Sequence, residues 1–66
     1  MATEGARVAQ ARRDRRMTQE ELGDRIGLTK GQISRIENGL SEITTARLRA
    51  IAKALGVNPR KLLDAA

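Results

Sequence analysis

A protein that makes or breaks covalent bonds needs groups that move protons or attack electrophiles, and this chain is nearly bare of them. Its 66 residues include no His and no Cys. Those absences remove the usual general base, the thiolate nucleophile and the commonest metal ligands. Glu20 and Glu21 are adjacent, and neighbouring residues of a helix do not face each other, so the two carboxylates do not converge on a substrate. A Ser–Lys pair is the nucleophile–base combination that remains, and nothing in the spacing assembles it. The six glycines follow no strand pattern, so they make no phosphate loop. The chain is not expected to be an enzyme, and no cofactor, metal or small-molecule ligand is expected.

What the chain has in quantity is arginine. Lys and Arg total 13 and Asp and Glu 8, a net +5, with ten Arg against three Lys. Phe, Tyr and Trp are absent. A chain this short buries only about 60% of the surface its unfolded form exposes. Without disulfides or aromatic anchors, it must rely on many small aliphatic contacts. No apolar run approaches the ~20 residues of a membrane span, and the N-terminus lacks a signal peptide's apolar stretch. The expectation is one soluble, cytoplasmic domain over residues 1–66 with a basic surface and no membrane contact.

The elements that carry these side chains read as helices. Apolar residues recur at helical spacing, and the alternating runs of strands are missing. Thr3 caps a first helix over about residues 3–16, with Val8 and Ala11 on its apolar stripe. Thr18 and Glu21 have the spacing of a capping box that opens the second helix, Met17 and Leu22 that of a hydrophobic staple, and Gly27 ends it. Thr29 caps the third helix, Ile33 and Ile36 face inward, and Asn38 with Gly39 stops it. Thr44 caps the fourth, which buries Leu48, Ile51, Ala52 and Leu55 and stops at Gly56. Asn58 and Pro59 open a short fifth helix, with Leu62 and Leu63 pointing inward. The fold class is all-α, a compact set of five helices.

Residues 19–37, QEELGDRIGLTKGQISRIE, hold the most informative pattern. Two short helices joined by about three residues must cross steeply. Gly23 supplies a small residue at the crossing, Gly27 a residue free to turn left-handed, and Leu22, Ile26, Leu28, Ile33 and Ile36 the apolar seal. That is the logic of a helix-turn-helix, whose second helix lies in the DNA major groove.

The segment TQEELGDRIGLTKGQISRIENG resembles the helix-turn-helix of the phage Cro/lambda-repressor family, the XRE-type regulators. LRAIAKALGVNPRKLL is similar to that family's fourth and fifth helices, and the likeness covers roughly residues 6–63. The resemblance implies a lambda-repressor-like DNA-binding domain with its helix-turn-helix at about residues 18–38, formed by helices 2 and 3. It further implies a transcriptional regulator, most simply a repressor, that binds a pseudo-palindromic operator in double-stranded DNA as a homodimer and associates with the nucleoid when bound. Carried over by position, Lys30, Gln32, Ser34 and Arg35 become base contacts, and Gln19, Thr29, Asn38 and Gly39 phosphate contacts. Arg35 is the preferred reader because arginine bridges guanine O6 and N7. Gln19 opens a helix whose free N–H groups favour an anion. Arg12 and Glu37 match a family ion pair between helices 1 and 3. The sequence departs from the family pattern at Arg16, where a glycine is usual, at Gly31, which replaces a residue that often reads a base, and at Leu40, where many members have Lys or Arg.

Leu40 and Ile43 are branched aliphatics in a loop, which suggests a partner surface. With Val57 and Leu63 they form the expected dimer interface. The alternative reading is a protein-interaction module, such as an antitoxin that autoregulates its operon through the same domain. Antitoxins of this kind usually carry a further toxin-wrapping segment, and the expectation is that none is present here.

Overall fold

The structure, a computed structural model, describes residues 3–63. Threonine starts each of its four α-helices: α1 (Glu4–Asp14), α2 (Gln19–Ile26), α3 (Lys30–Glu37) and α4 (Thr45–Leu55). Thr3, Thr18, Thr29 and Thr44 stand in extended backbone one residue before each helix. Their hydroxyls accept from the N–H groups of Ala6, Glu21, Gln32 and Arg47, at 3.1, 3.0, 3.1 and 3.1 Å. Each cap satisfies a donor that the helix itself leaves orphaned, a contribution of about 1 kcal/mol. No strand occurs among the described residues.

Left-handed glycines close three of the helices. Gly27, Gly39 and Gly56 have φ of 74°, 73° and 69°. The N–H of the following residue folds back over the last turn: Leu28 to Gly23 O at 2.9 Å, Leu40 to Arg35 O at 2.9 Å and Val57 to Ala52 O at 3.0 Å. The first helix uses the same closure without a glycine. It ends at Asp14 rather than near residue 16, because Arg16 turns left-handed at φ 54°. The Arg16 N–H then donates to Arg13 O (2.9 Å) and the Met17 N–H to Arg12 O (3.1 Å). A side chain in this region costs roughly 1–2 kcal/mol, so surrounding contacts must hold it there.

The expected fifth helix is a single 3₁₀ turn, Pro59–Lys61. Asn58 Oδ1 accepts from the Arg60 N–H at 2.9 Å, and Lys61 and Leu62 donate three residues back, to Asn58 O and Pro59 O. The turn ends at Leu62, which is buried, whereas Leu63 is 43% exposed and does not point inward as expected. The last three residues of the expected 1–66 domain, 64–66, lie outside the described residues, as do residues 1–2.

The core is entirely aliphatic. Val8, Leu22, Ile33, Ile36, Leu48, Ile51, Ala52, Leu55 and Leu62 form one buried cluster, with Met17, Ile26, Leu28, Ile43 and Val57 packed around it. α2 lies against both α3 and α4, and α1 spans from α3 to α4. Two glycines permit these approaches. A Cβ on Gly23 would overlap Leu28 O in the turn after α2, and one on Gly5 would overlap Ile36 O on α3. The sequence flagged Gly23 but carried no signal for Gly5. Gly5→Ala and Gly23→Ala should each lower unfolding stability by about 1–3 kcal/mol, since backbone is the obstacle and cannot rotate away. Urea unfolding of the two variants measures this.

Candidate nucleic-acid interface

An isolated eight-residue helix is unstable in water, so α3 exists because its ends and one face are held. At its start Thr29 and Gln32 form a reciprocal capping box. The Thr29 N–H donates to Gln32 Oε1 at 2.8 Å, and the Gln32 N–H to Thr29 Oγ1 at 3.1 Å. At its end Asn38 Nδ2 donates to Ser34 O at 2.8 Å and the Gly39 N–H to Ile36 O at 3.1 Å. Ile33 and Ile36 are buried beneath it. Lys30, Gly31, Gln32 and Arg35 are exposed on its other side, and Ser34 is half-buried.

A three-helix polar joint fixes the far end of α3. Glu37 Oε2 accepts from Arg12 Nε at 2.7 Å, and Oε1 accepts from Arg12 Nη2 at 3.0 Å. Gln19 Nε2 on α2 donates to the same Oε1, also at 3.0 Å. Arg12 Nη1 donates to Met17 O at 2.8 Å in the turn between α1 and α2. The Arg12 and Glu37 side chains are only 11% and 5% exposed. The hydrogen bonds to Glu37 raise the Arg12 pKa, against the opposing effect of burial. At the start of α2, Thr18 and Glu21 close the expected capping box, with the Thr18 N–H donating to Glu21 Oε1 at 2.9 Å. That bond, followed by the Thr18 side chain, holds the Glu21 carboxyl below the usual carboxylate range.

Lys30, Gln32 and Arg35 are thus all exposed, and the half-buried Ser34 has its Oγ 3.4 Å from Asn38 Nδ2. Arg35 has only a long contact to Leu40 O, at 3.4 Å. Gln32 already uses its Oε1 in the cap, so its amide N–H groups are what it offers outward. Thr29 is the expected cap, and its reciprocal partner Gln32 is not expected, although a Gln three residues on is the spacing of a capping box. Thr29 caps α3, and Gln19 opens α2 and lines, with Thr18 and Lys30, a depression of about 580 Å³. The acids Glu20, Glu21 and Asp24 line it too. The amide of Asn38 and the N–H of Gly39 are turned back onto α3. The Gln19–Glu37 hydrogen bond had no sequence signal.

The four residues expected at a dimer interface differ in exposure. Ile43 and Leu63 line a groove of about 370 Å³ with Leu48, Pro59, Arg49 and Arg60. Leu40 is 64% exposed at the end of α3. Val57 is half-buried against the core.

A fold of four capped helices, with the short α3 presenting polar side chains outward, defines a class of recognition domain. A helix-turn-helix family model matches residues 8–62, and the chain belongs to that family. An uncharacterized HTH-type transcriptional regulator of Sinorhizobium fredii is 40% identical over 55 residues, 83% of this chain and 38% of that protein. The control protein C.BamHI of Bacillus amyloliquefaciens is 39% identical over 61 residues, 91% of this chain and 75% of that one. The chain thus spans well under half the length of the Sinorhizobium relative. Among solved structures, the P22 c2 repressor in complex with a synthetic operator matches with a TM-score of 0.87 and 29% identity over 100% of both chains. The restriction-modification controller protein C.AhdI of Aeromonas hydrophila matches with a TM-score of 0.87 and 26% identity over 94% of each. These relatives and neighbours are named as an HTH-type transcriptional regulator, control proteins and a repressor.

Two outcomes follow from the polar contacts. Glu37→Ala should cost about 3–5 kcal/mol in chemical unfolding, because it strands a nearly buried arginine, while replacing Arg12 and Glu37 together by Met should cost far less. The Glu21 carboxyl has a folded pKa below its unfolded one, so its contribution is complete above about 4.5 and is lost as pH falls through the lower folded value. Thermal unfolding from pH 6 down to pH 2 should therefore show a smaller pH-dependent loss in Glu21→Gln than in the parent.

Proposed function

We propose that the chain is a sequence-specific DNA-binding transcriptional regulator that works in the cytoplasm as a homodimer and represses by occupying a pseudo-palindromic operator. The observation that carries this reading is α3 itself. Its apolar side is sealed by Ile33 and Ile36, its ends are capped, and Lys30, Gln32 and Arg35 are exposed, with the Gln32 amide N–H groups left to donate outward. The likeness to a repressor solved on a synthetic operator supports it. In this reading residues 1–66 are one domain, residues 18–38 are the helix-turn-helix and α3 enters the major groove.

Arg35 reads guanine through O6 and N7, and Gln32, Lys30 and Ser34 contact neighbouring base edges. The Thr29 hydroxyl still has its proton to donate, and Gln19 keeps a second amide hydrogen, so both can hold phosphates. Asn38 and Gly39, whose donors turn inward, hold the end of α3 close to the backbone. The exposed Leu40 and the groove shared by Ile43 and Leu63 favour pairing with a second copy, with Val57 alongside. A symmetric dimer would set its two α3 helices about 34 Å apart, one turn of DNA.

Selection of binding sites from random DNA tests the proposal. It should return two related half-sites whose centres lie about 10 base pairs apart, bound with steep salt dependence. Equal affinity for the selected site and for random duplex at physiological salt would sink it. Arg35→Ala should cost about 1–3 kcal/mol and relax preference at one base pair, whereas Gln19→Ala should weaken all sequences alike.

A further inference from the structure

We infer that Arg16 is a further DNA-binding residue, whose guanidinium takes a backbone phosphate next to the one that Gln19 holds. The inference deepens the function proposed above and rests on it. Among the described residues Arg16, at φ 54°, is the one residue other than glycine with positive φ. The turn from α1 to α2 needs that conformation, because the N–H groups of Arg16 and Met17 fold back there onto Arg13 O and Arg12 O. It does not need an arginine. Glycine adopts the conformation without strain, and asparagine with little. The side chain finds no partner inside the chain: Arg16 is exposed and makes no hydrogen bond or ion pair with the other described residues. Its neighbours on α1 differ. Arg12 is held by Glu37 and Met17 O, and Arg15 donates to Gly56 O at 3.1 Å. A strained residue whose side chain the fold does not use points to a contact outside the chain.

The charge around Arg16 identifies that contact as an anion. Arg16 stands three residues before Gln19, so their Cα atoms lie within about 11 Å of each other. The edge of α2 that Gln19 opens is lined by the carboxylates of Glu20, Glu21 and Asp24, with Lys30 as its cation and Arg12 already paired with Glu37. That edge by itself repels a DNA strand, and the neutral amide of Gln19 does not offset the carboxylates. A cation free of partners at Arg16 supplies the missing attraction, close to the ~8–10 Å over which exposed charges act at physiological salt. Its base is also fixed. The Arg16 N–H donates to Arg13 O at 2.9 Å, and Met17 is held through its N–H, to Arg12 O at 3.1 Å, and through its O, from Arg12 Nη1 at 2.8 Å. From that base the guanidinium can meet a phosphate through two N–H groups.

The test measures affinity against salt concentration for the parent and for Arg16→Gly, Arg16→Gln and Arg16→Lys, on the operator selected by the parent and on random duplex. Arg16→Gly relieves the left-handed backbone, so it should unfold at a midpoint higher by roughly 2–6 °C and still bind both duplexes more weakly, by similar factors. The slope of log affinity against log salt should shrink by about 0.9 per half-site in Arg16→Gly and Arg16→Gln and stay near the parent's in Arg16→Lys. Replacing operator phosphates one at a time by methylphosphonate should reveal one position in each half-site that weakens the parent and leaves Arg16→Gly unaffected. An unchanged slope in Arg16→Gly, an equal loss of slope in Arg16→Lys, a loss confined to the selected operator, a lowered unfolding midpoint in Arg16→Gly, or no such phosphate would each overturn the inference. A parent that fails to prefer its selected site over random duplex overturns the proposed function and the inference with it. A parent that discriminates while Arg16→Gly keeps the full salt slope leaves that function standing and removes only the contact at Arg16.

Discussion

The Glu37 carboxylate joins three helices, and the arrangement of the rest follows from what it requires. It sits at the C-terminal end of α3, the end whose exposed carbonyls disfavour negative charge. It is also 5% exposed, where an unpaired carboxylate is strongly unfavourable. Arg12 must therefore be present, and its guanidinium meets the carboxylate through two nitrogens. The third side of the same guanidinium holds Met17 O, which fixes the turn from α1 into α2. That turn contains the left-handed Arg16, a conformation with its own cost that the Arg12–Met17 hydrogen bond helps to maintain. Gln19 then ties the start of α2 to the same carboxylate. One charge thus fixes the angle at which α3 presents its outer face.

The elements were legible where a local rule decides them. Thr3, Thr18, Thr29 and Thr44 start helices because a hydroxyl in extended backbone satisfies an orphan N–H, and this depends on neighbours two or three residues away. Gly27, Gly39 and Gly56 end helices for an equally local reason. The sequence misled where a tertiary contact overrides such a rule. Arginine is not a stop signal, so the end of α1 at Asp14 was invisible without the Arg12–Met17 contact. Gly5 is required by α3, more than thirty positions on, and no spacing reveals that. Arg12 and Glu37 are 25 residues apart, and only a family resemblance paired them. At the C-terminal end, a proline and three residues fit a turn of either helix type, and the structure adopts the tighter one.

The placement of charge changes what the net +5 means. α3 itself carries Lys30, Arg35 and Glu37, the last already paired. The start of α2 brings Glu20, Glu21 and Asp24 to the adjoining depression. Much of the excess positive charge lies elsewhere, as Arg13, Arg15 and Arg16 at the end of α1 and Arg47, Arg49 and Lys53 on α4. The molecule measures 30 × 24 × 21 Å, and exposed charges are largely screened beyond about 8–10 Å at physiological salt. Charge more than that distance away therefore adds little at the outer face of α3.

Few polar side chains around α3 are unengaged, because several of them hold its ends. With only eight residues it cannot persist without caps. Gln32 closes the first turn, Asn38 closes the last, and Gln19 is held by Glu37. Ser34 supplies the carbonyl that Asn38 holds. Lys30 and Arg35 are left free, with the outward amide hydrogens of Gln32 and the bare backbone at Gly31. A change at Gln32 therefore opens the first-turn cap, whereas Lys30 and Arg35 can change without loosening the helix that presents them.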